Sequence, residues 1–87
     1  LNQSSLLVKF LIKSFKNDCK LLQRTHRSAG VAVLKSLDIP SVLLEMGYLS
    51  NKNDSKLLIS EDYQRKLSDK IVKAVINYFN WKEKNDI

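Results

Sequence analysis

Residues 39–51 read IPSVLLEMGYLSN, an apolar run that ends in one carboxylate and continues into a turn containing glycine. Positions 42–44 are consecutive and apolar, which is typical of a strand covered on both faces. Pro40 fits the start of such a strand, where a missing N–H costs little. Ligands of open α/β sheets bind beyond the carboxyl ends of the strands. We therefore expect Glu45 to be a catalytic or ligand-binding acid, buried at the strand end and pointing into a cleft.

This segment resembles a stretch found in the zinc-dependent N-acetylmuramoyl-L-alanine amidases, which trim bacterial peptidoglycan. Those proteins carry the pattern P-x-V-L-x-E-x-G-[FY]-[LI]-S-N. The matching positions here are Pro40, Val42, Leu43, Glu45, Gly47, Tyr48, Leu49, Ser50 and Asn51. The resemblance extends over residues 4–79, and the family pattern lies near the C-terminus of its domain. It implies that residues 1–87 are the C-terminal segment of one amidase catalytic domain, incomplete because the part that carries the zinc ligands lies upstream.

The expected fold class is α/β, here with about two short strands and three helices. The first helix starts at a cap, Ser4 or Ser5, and runs to about residue 22 with Leu7, Phe10, Leu11, Phe15 and Leu22 on its apolar face. Strands are predicted at 31–34 and 41–45. Only six residues, 35–40, separate them, whereas a parallel crossover needs about a dozen or more. If the two strands are direct neighbours they should therefore be antiparallel; otherwise another strand lies between them.

Two helices are predicted after the apolar run. Ser50 or Asn51 caps a short helix through residue 59, with Asp54 in its first turn. Ser60 caps the last helix, which ends near Trp81 before a charged tail. The apolar positions that predict this helix are Tyr63, Leu67, Ile71, Ala74, Val75 and Tyr78. Two short strands are marginal alone, so we expect the rest of a sheet to be missing from this chain.

The resemblance implies the chemistry. Glu45 matches the catalytic glutamate of the family, whose reaction is hydrolysis of the amide between N-acetylmuramic acid and L-alanine by zinc-activated water. Spacing alone favours a structural role for Glu45, as an ion-pair partner for Arg24 or Arg27 or as an acceptor that closes the turn, and it is the resemblance that favours catalysis. Gly47 is expected to relieve a positive φ after the strand. Tyr48 is expected to pack in the core.

The zinc ligands are not expected in this chain. The family uses two histidines and a glutamate, whereas this sequence has one histidine, His26, in a basic polar connector, where a solvated or capping role is expected. The one cysteine, Cys19, excludes an internal disulfide and is read as a small apolar helix residue. We therefore expect the chain to be inactive by itself.

Charge is concentrated at one end of the chain. Of the 87 residues, the first 35 hold seven basic side chains against one acidic, which accounts for the whole net charge of +6. Lys9, Lys13, Lys16 and Lys20 form one helical stripe, read either as a solvated face or as a contact for an anionic polymer. Interleaved exposed aromatics and standard nucleic-acid motifs are missing, so nucleic acid is not the expected partner.

Three functions remain open from the sequence. The first is a peptidoglycan amidase of the bacterial cell envelope, in the periplasm or cell wall, whose export signal this chain does not show. The second is a basic binding module for an anionic polymer or nucleic acid. The third is a metal-free, non-catalytic remnant. No apolar stretch is long enough to span a bilayer, and exposed strand edges predict self-association of the isolated chain.

Overall fold

The computed structural model describes residues 2–15, 31–34 and 38–85. Along the chain the elements are α1 (Gln3–Phe15), β1 (Val31–Val33), β2 (Val42–Leu44), α2 (Lys52–Leu58) and α3 (Glu61–Asn85). The described part is mostly helical, and the predicted three helices are confirmed. The strands contribute only three residues each. The α/β class, which requires a larger sheet, therefore stays a prediction.

The start of α1 differs from the predicted one. The side-chain Oδ1 of Asn2 accepts the backbone N–H of Ser5 at 2.7 Å and so caps the helix, which makes the predicted cap at Ser4 or Ser5 wrong. Ser4 instead turns inward and is buried. Its Oγ accepts the backbone N–H of Ser41 at 2.8 Å, just before β2. The predicted extension of the helix to Leu22 lies outside the described residues.

The two strands pair antiparallel, as the short connection predicts. The ladder is extended by one bond, in which the backbone N–H of Leu34 donates to the carbonyl oxygen of Ser41 at 2.9 Å. The register pairs Val31 with Leu44, Ala32 with Leu43 and Val33 with Val42. This pairing fixes the direction in which the chain leaves β2.

The core lies between α1 and α3, and both strands contact α1. The buried side chains of the core are Leu11, Phe15, Tyr63, Leu67 and Ala74. Val42 and Leu44 from β2, and Leu57 and Leu58 from α2, pack against them half-buried. The predicted apolar faces of α1 and α3 are thus confirmed for the described residues. Removing this apolar surface from water is the main stabilising contribution.

Helix α3 is capped as predicted but is longer. The Oγ of Ser60 accepts the backbone N–H of Tyr63 at 3.3 Å, and Glu61 and Asp62 occupy the first turn. The predicted end near Trp81 is wrong, because the helix continues to Asn85. The side chain of Asn85 donates to the carbonyl of Trp81 at 2.8 Å, which satisfies one of the last carbonyl groups.

Strand β2 is covered on one face only. Val42 and Leu44 are half-buried on the α1 side, whereas Leu43 is 50% exposed. The expectation of a strand covered on both faces is therefore wrong for the described chain. The physical reason is that the described helix that contacts the strands, α1, lies on the Val42 and Leu44 side.

Candidate functional site

Glu45 directly follows β2 and is exposed. Successive side chains of a strand point to opposite faces, so Glu45 continues the face of Leu43 and lies away from the side of Leu44. The sequence predicts that Glu45 is buried at the strand end, and this prediction is wrong. The covered face of β2 is the one that carries Val42 and Leu44, whereas Glu45 lies on the opposite face. The alternative ion pairs with Arg24 or Arg27 lie outside the described residues.

A shallow, open depression of about 470 Å³ on the surface of α3 does not include Glu45. Its lining consists of charged side chains from successive turns of the helix: Asp62, Arg65, Lys66, Asp69, Lys70 and Lys73. The lining residues that are exposed include Arg65 and Asp62, whose ion pair at 3.8 Å is solvated. The expected cleft around Glu45 therefore stays a prediction.

The turn after Glu45 has the backbone that its glycine allows. Gly47 has φ of 156°, in the region that residues with a Cβ avoid, which confirms the predicted role of this glycine. The flanking side chains Met46 and Tyr48 are 46% and 50% exposed. The expected core packing of Tyr48 is therefore wrong.

A closed ring of three hydrogen bonds joins Tyr48, Asn51 and Asp54. The N–H of Tyr48 donates to Oδ2 of Asp54 at 2.9 Å. The N–H of Asn51 donates to the carbonyl of Tyr48 at 3.1 Å. The N–H of Asp54 donates to Oδ1 of Asn51 at 3.0 Å, which makes Asn51 the cap of α2 as predicted. We call this arrangement the 48–51–54 ring.

Asp54 is fully buried within the ring, with 0% of its surface exposed. The sequence predicts only a first-turn residue of α2, where an acidic side chain is commonly solvated. The spacing of three residues from Asn51 was the one available signal, and it does not report burial. The burial of Ser4 is likewise not predicted, because the sequence favours a capping role for this residue or Ser5, and Asn2 takes that role instead.

The described residues do not fit a zinc ion. Among residues 2–15, 31–34 and 38–85, no group of three His, Cys, Asp or Glu side chains is close enough to hold a metal. His26 and Cys19 lie outside the described residues. A catalytic zinc needs three protein ligands with a free position for water. The described residues therefore assign no ligand to zinc.

The basic stripe is partly described. Lys9 and Lys13 are exposed on α1, whereas Lys16 and Lys20 lie outside the described residues. Within the described part of the chain, no helix combines the length and apolar character needed to cross a membrane. Neither observation bears on Glu45, which follows β2 and lies outside the helices.

Comparison with known proteins identifies the family. The family model described as N-acetylmuramoyl-L-alanine amidase matches residues 1–77. This chain belongs to that amidase family. The matched residues include α1, both strands, α2 and the first part of α3, and they contain Glu45 and the 48–51–54 ring.

Curated relatives in the amidase family are much longer than this chain. It is 35% identical to N-acetylmuramoyl-L-alanine amidase AmiA of Salmonella typhimurium, over 93% of this chain and 28% of the relative. It is 34% identical to the probable amidase AmiB of Haemophilus influenzae, over 88% and 18%. It is 29% identical to the probable cell wall amidase LytH of Staphylococcus epidermidis, over 91% and 27%. No solved structure matches significantly. The chain thus spans less than a third of each of these relatives.

Proposed function

We propose that this chain is the C-terminal segment of the catalytic domain of a zinc-dependent peptidoglycan amidase and that Glu45 is its catalytic carboxylate. The reaction is hydrolysis of the amide that joins N-acetylmuramic acid to L-alanine. The observation that carries the proposal is the position of Glu45, exposed at the carboxyl end of β2 inside the residues that match the amidase family. A reacting group has to be reachable by a polymer substrate, and Glu45 is reachable.

The chemistry requires one group that can both take and give a proton. When water attacks the amide carbon, an O–C bond forms and the water loses a proton. The C–N bond breaks once the nitrogen has gained a proton, and the products are a carboxylic acid and the free amine of L-alanine. A carboxylate positioned between the water and the nitrogen can carry the same proton from one to the other. We assign this transfer to Glu45.

The zinc ion of the proposed enzyme is assigned to residues other than the described ones. The described residues offer no ligand set for it, and the curated relatives extend well beyond the part that this chain matches. The proposal therefore places the ligands in the remaining part of the catalytic domain. What this chain contributes is the carboxylate and the scaffold that holds it.

Exposed apolar side chains near Glu45 support a larger domain. Leu43 is 50% exposed on the same face of β2, and Leu49 is 79% exposed in the turn that follows Gly47. Exposed apolar side chains that lie together can mark a surface that is covered in the assembled protein. We propose that the rest of the catalytic domain covers this face and supplies the opposite wall of the cleft at Glu45.

The proposed location is the bacterial cell envelope, in the periplasm or the cell wall. The substrate is found there, and one of the relatives is named a probable cell wall amidase. The net charge of +6 is compatible with a wall polymer that carries carboxylates, since opposite charge favours their encounter.

The test is a comparison of Glu45→Gln with Glu83→Gln in the protein that contains the complete catalytic domain. Both changes remove one negative charge from an exposed side chain, and Glu83 lies on α3. Loss of the proton carrier is expected to lower kcat for peptidoglycan hydrolysis by about 10² or more. Glu83→Gln is expected to keep wild-type activity. Zinc content and melting temperature should be unchanged in both.

Retained hydrolysis in Glu45→Gln, with normal zinc content, would remove Glu45 from the mechanism. Release of L-alanine amino groups from purified peptidoglycan measures the reaction directly, because each cleaved amide yields one new amine. A product other than this amine would contradict the assigned bond.

A further inference from the structure

Two buried polar side chains flank the segment that carries Glu45. Among the described residues, Ser4 and Asp54 are the polar or charged side chains classed as buried, with 6% and 0% exposed. Each accepts a backbone N–H from this segment. Ser4 receives that of Ser41, before β2, and Asp54 receives that of Tyr48, after Glu45. Buried polar groups are held in place by such bonds, so each fixes the backbone it contacts.

The two contacts differ in what separates them from Glu45. Between Ser41 and Glu45 lies β2, whose residues are already held by pairing with β1. Between Glu45 and Tyr48 lie only Met46 and Gly47, which belong to no helix or strand. Glycine is the residue with the greatest backbone freedom, so this side of Glu45 needs an external restraint. The Asp54 contact is placed to provide it.

The 48–51–54 ring connects this restraint to the core. Both backbone polar groups of Tyr48 are used in the ring, its N–H by Asp54 and its carbonyl by Asn51. Asp54 is the third residue of α2, and that helix packs Leu57 and Leu58 against the core. A charged acceptor such as a carboxylate makes a stronger hydrogen bond to a backbone N–H than a neutral one does. Tyr48 is therefore tied to a packed helix rather than to another loop.

We propose that Asp54 is a positioning residue for Glu45. Its carboxylate holds the backbone of Tyr48 and thereby fixes the direction of the Glu45 side chain. This inference rests on the proposed function, in which Glu45 is the catalytic carboxylate. Glu45 is then held from both sides, by the strand pair before it and by the 48–51–54 ring after it. Catalytic groups need this precision, because a displacement of about 1 Å can lower a rate by about 10².

The experiment uses the protein with its complete catalytic domain and three variants. Asp54→Ala removes the acceptor. Asp54→Asn keeps an oxygen at the same position and serves as the conservative rescue. Ser4→Ala is the matched control, since it also deletes a buried side chain that accepts one backbone N–H next to β2. The readouts are kcat and KM, melting temperature, and hydrogen exchange at the amide of Tyr48.

Asp54→Ala is expected to lower kcat by about tenfold or more with KM changed by less than about threefold, because substrate contacts persist while the carboxylate loses its direction. Exchange at the Tyr48 amide should become faster by about tenfold as its hydrogen bond is lost. Asp54→Asn should recover most of kcat and of the amide protection. Ser4→Ala should lower the melting temperature, yet keep kcat within about threefold and leave Tyr48 protected.

Several outcomes would overturn the inference. One is unchanged Tyr48 exchange in Asp54→Ala. Another is a loss of kcat in Asp54→Ala that Ser4→Ala shows equally at the same melting temperature, which would indicate a general loss of stability. If Asp54→Ala does not fold, Asp54→Asn with slow Tyr48 exchange and full kcat supports the proposal, and fast exchange with full kcat overturns it.

Failure of the proposed function has a different signature. An active Glu45→Gln variant together with fast Tyr48 exchange in Asp54→Ala would show that the ring restrains the turn but that Glu45 is not the group it serves. That result overturns the catalytic assignment and leaves the measured restraint in place.

Discussion

The helical side of this molecule and the strand-end side are organised by different forces. On the helical side, α1 and α3 bury apolar residues such as Leu11, Leu67 and Ala74 against one another. On the strand-end side, Leu43 and Leu49 are exposed while the carboxylate of Asp54 is buried. Packing within the chain accounts for the buried part of the helical side, although its outer surface also carries half-exposed apolar residues such as Val72 and Phe79. The strand-end side combines packing of one strand face with the hydrogen bonds around Asp54, and its exposed leucines and Glu45 are available for contact with other groups.

The largest expected effect is on the helical side. Tyr78 is 1% exposed, and its ring meets that of Phe10 edge-on with centroids 6.1 Å apart. Tyr78→Ala is expected to lower the free energy of unfolding by about 3–5 kcal/mol, because it leaves a cavity between α1 and α3. Urea denaturation measures the change. A loss below about 0.5 kcal/mol, the range of ordinary surface substitutions, would contradict the comparison.

The second prediction concerns the exposed face of β2. In the 87-residue chain alone, Leu43→Ala is expected to change the free energy of unfolding by less than about 0.5 kcal/mol, since the side chain is 50% exposed. In the complete catalytic domain the expected loss is about 2–5 kcal/mol, because the proposed cover buries this leucine. Denaturation of both proteins measures the difference. Equal effects in the two would show that nothing covers the Leu43 face.

The same variant tests self-association of the isolated chain. Leu43→Ala removes apolar surface from the uncovered face, so association at high concentration should weaken. Ile76→Ala is the control, because Ile76 is 52% exposed on α3. Sedimentation of the two variants shows which surface mediates self-association. If both substitutions weaken association equally, the contact is not specific to the Leu43 face.

The third prediction addresses the turn between Glu45 and Tyr48. Gly47→Ala forces a Cβ into φ of 156° and is expected to cost about 1–3 kcal/mol. Because the turn carries Glu45, activity of the complete protein should fall as well. The control is Ser50→Ala, for which a small effect is expected because Ser50 is exposed and lies three positions after Gly47. Equal melting temperatures for the two variants would show that the turn tolerates a Cβ.

The sequence predicts the two sides unequally well. The spacing of Tyr63, Leu67 and Ala74 identifies the buried face of α3, since a helix repeats locally along the chain. The six-residue connection likewise predicts the antiparallel strand pair. By contrast, an apolar run such as 42–44 does not report what covers each face. That depends on elements far away in sequence, and the α1 side alone is covered by the described chain.

At the candidate site, the sequence predicts the features that depend on a residue's own backbone but not those that depend on distant groups. Asn51 as a cap and Gly47 at positive φ follow from their own backbone requirements, and both are confirmed. The burial of Asp54 depends on where Tyr48 places its N–H, and no pattern within the sequence encodes that geometry. The assignment of Glu45 stays a prediction, because it depends on groups outside the described residues.

The smallest expected effect compares two serines of the last helix region. The Oγ of Ser60 accepts the N–H of Tyr63 at 3.3 Å, so Ser60→Ala should cost about 1 kcal/mol of unfolding free energy. The Oγ of Ser68 donates to the carbonyl of Gln64 at 2.8 Å inside α3, where alanine is the better helix former. Ser68→Ala should therefore be neutral or slightly stabilising. Since both bonds are local to α3, each effect should be the same in the isolated chain and in the complete domain, unlike that of Leu43→Ala. A Ser60→Ala effect that differs between the two proteins would show that the cover reaches beyond the β2 face to the start of α3.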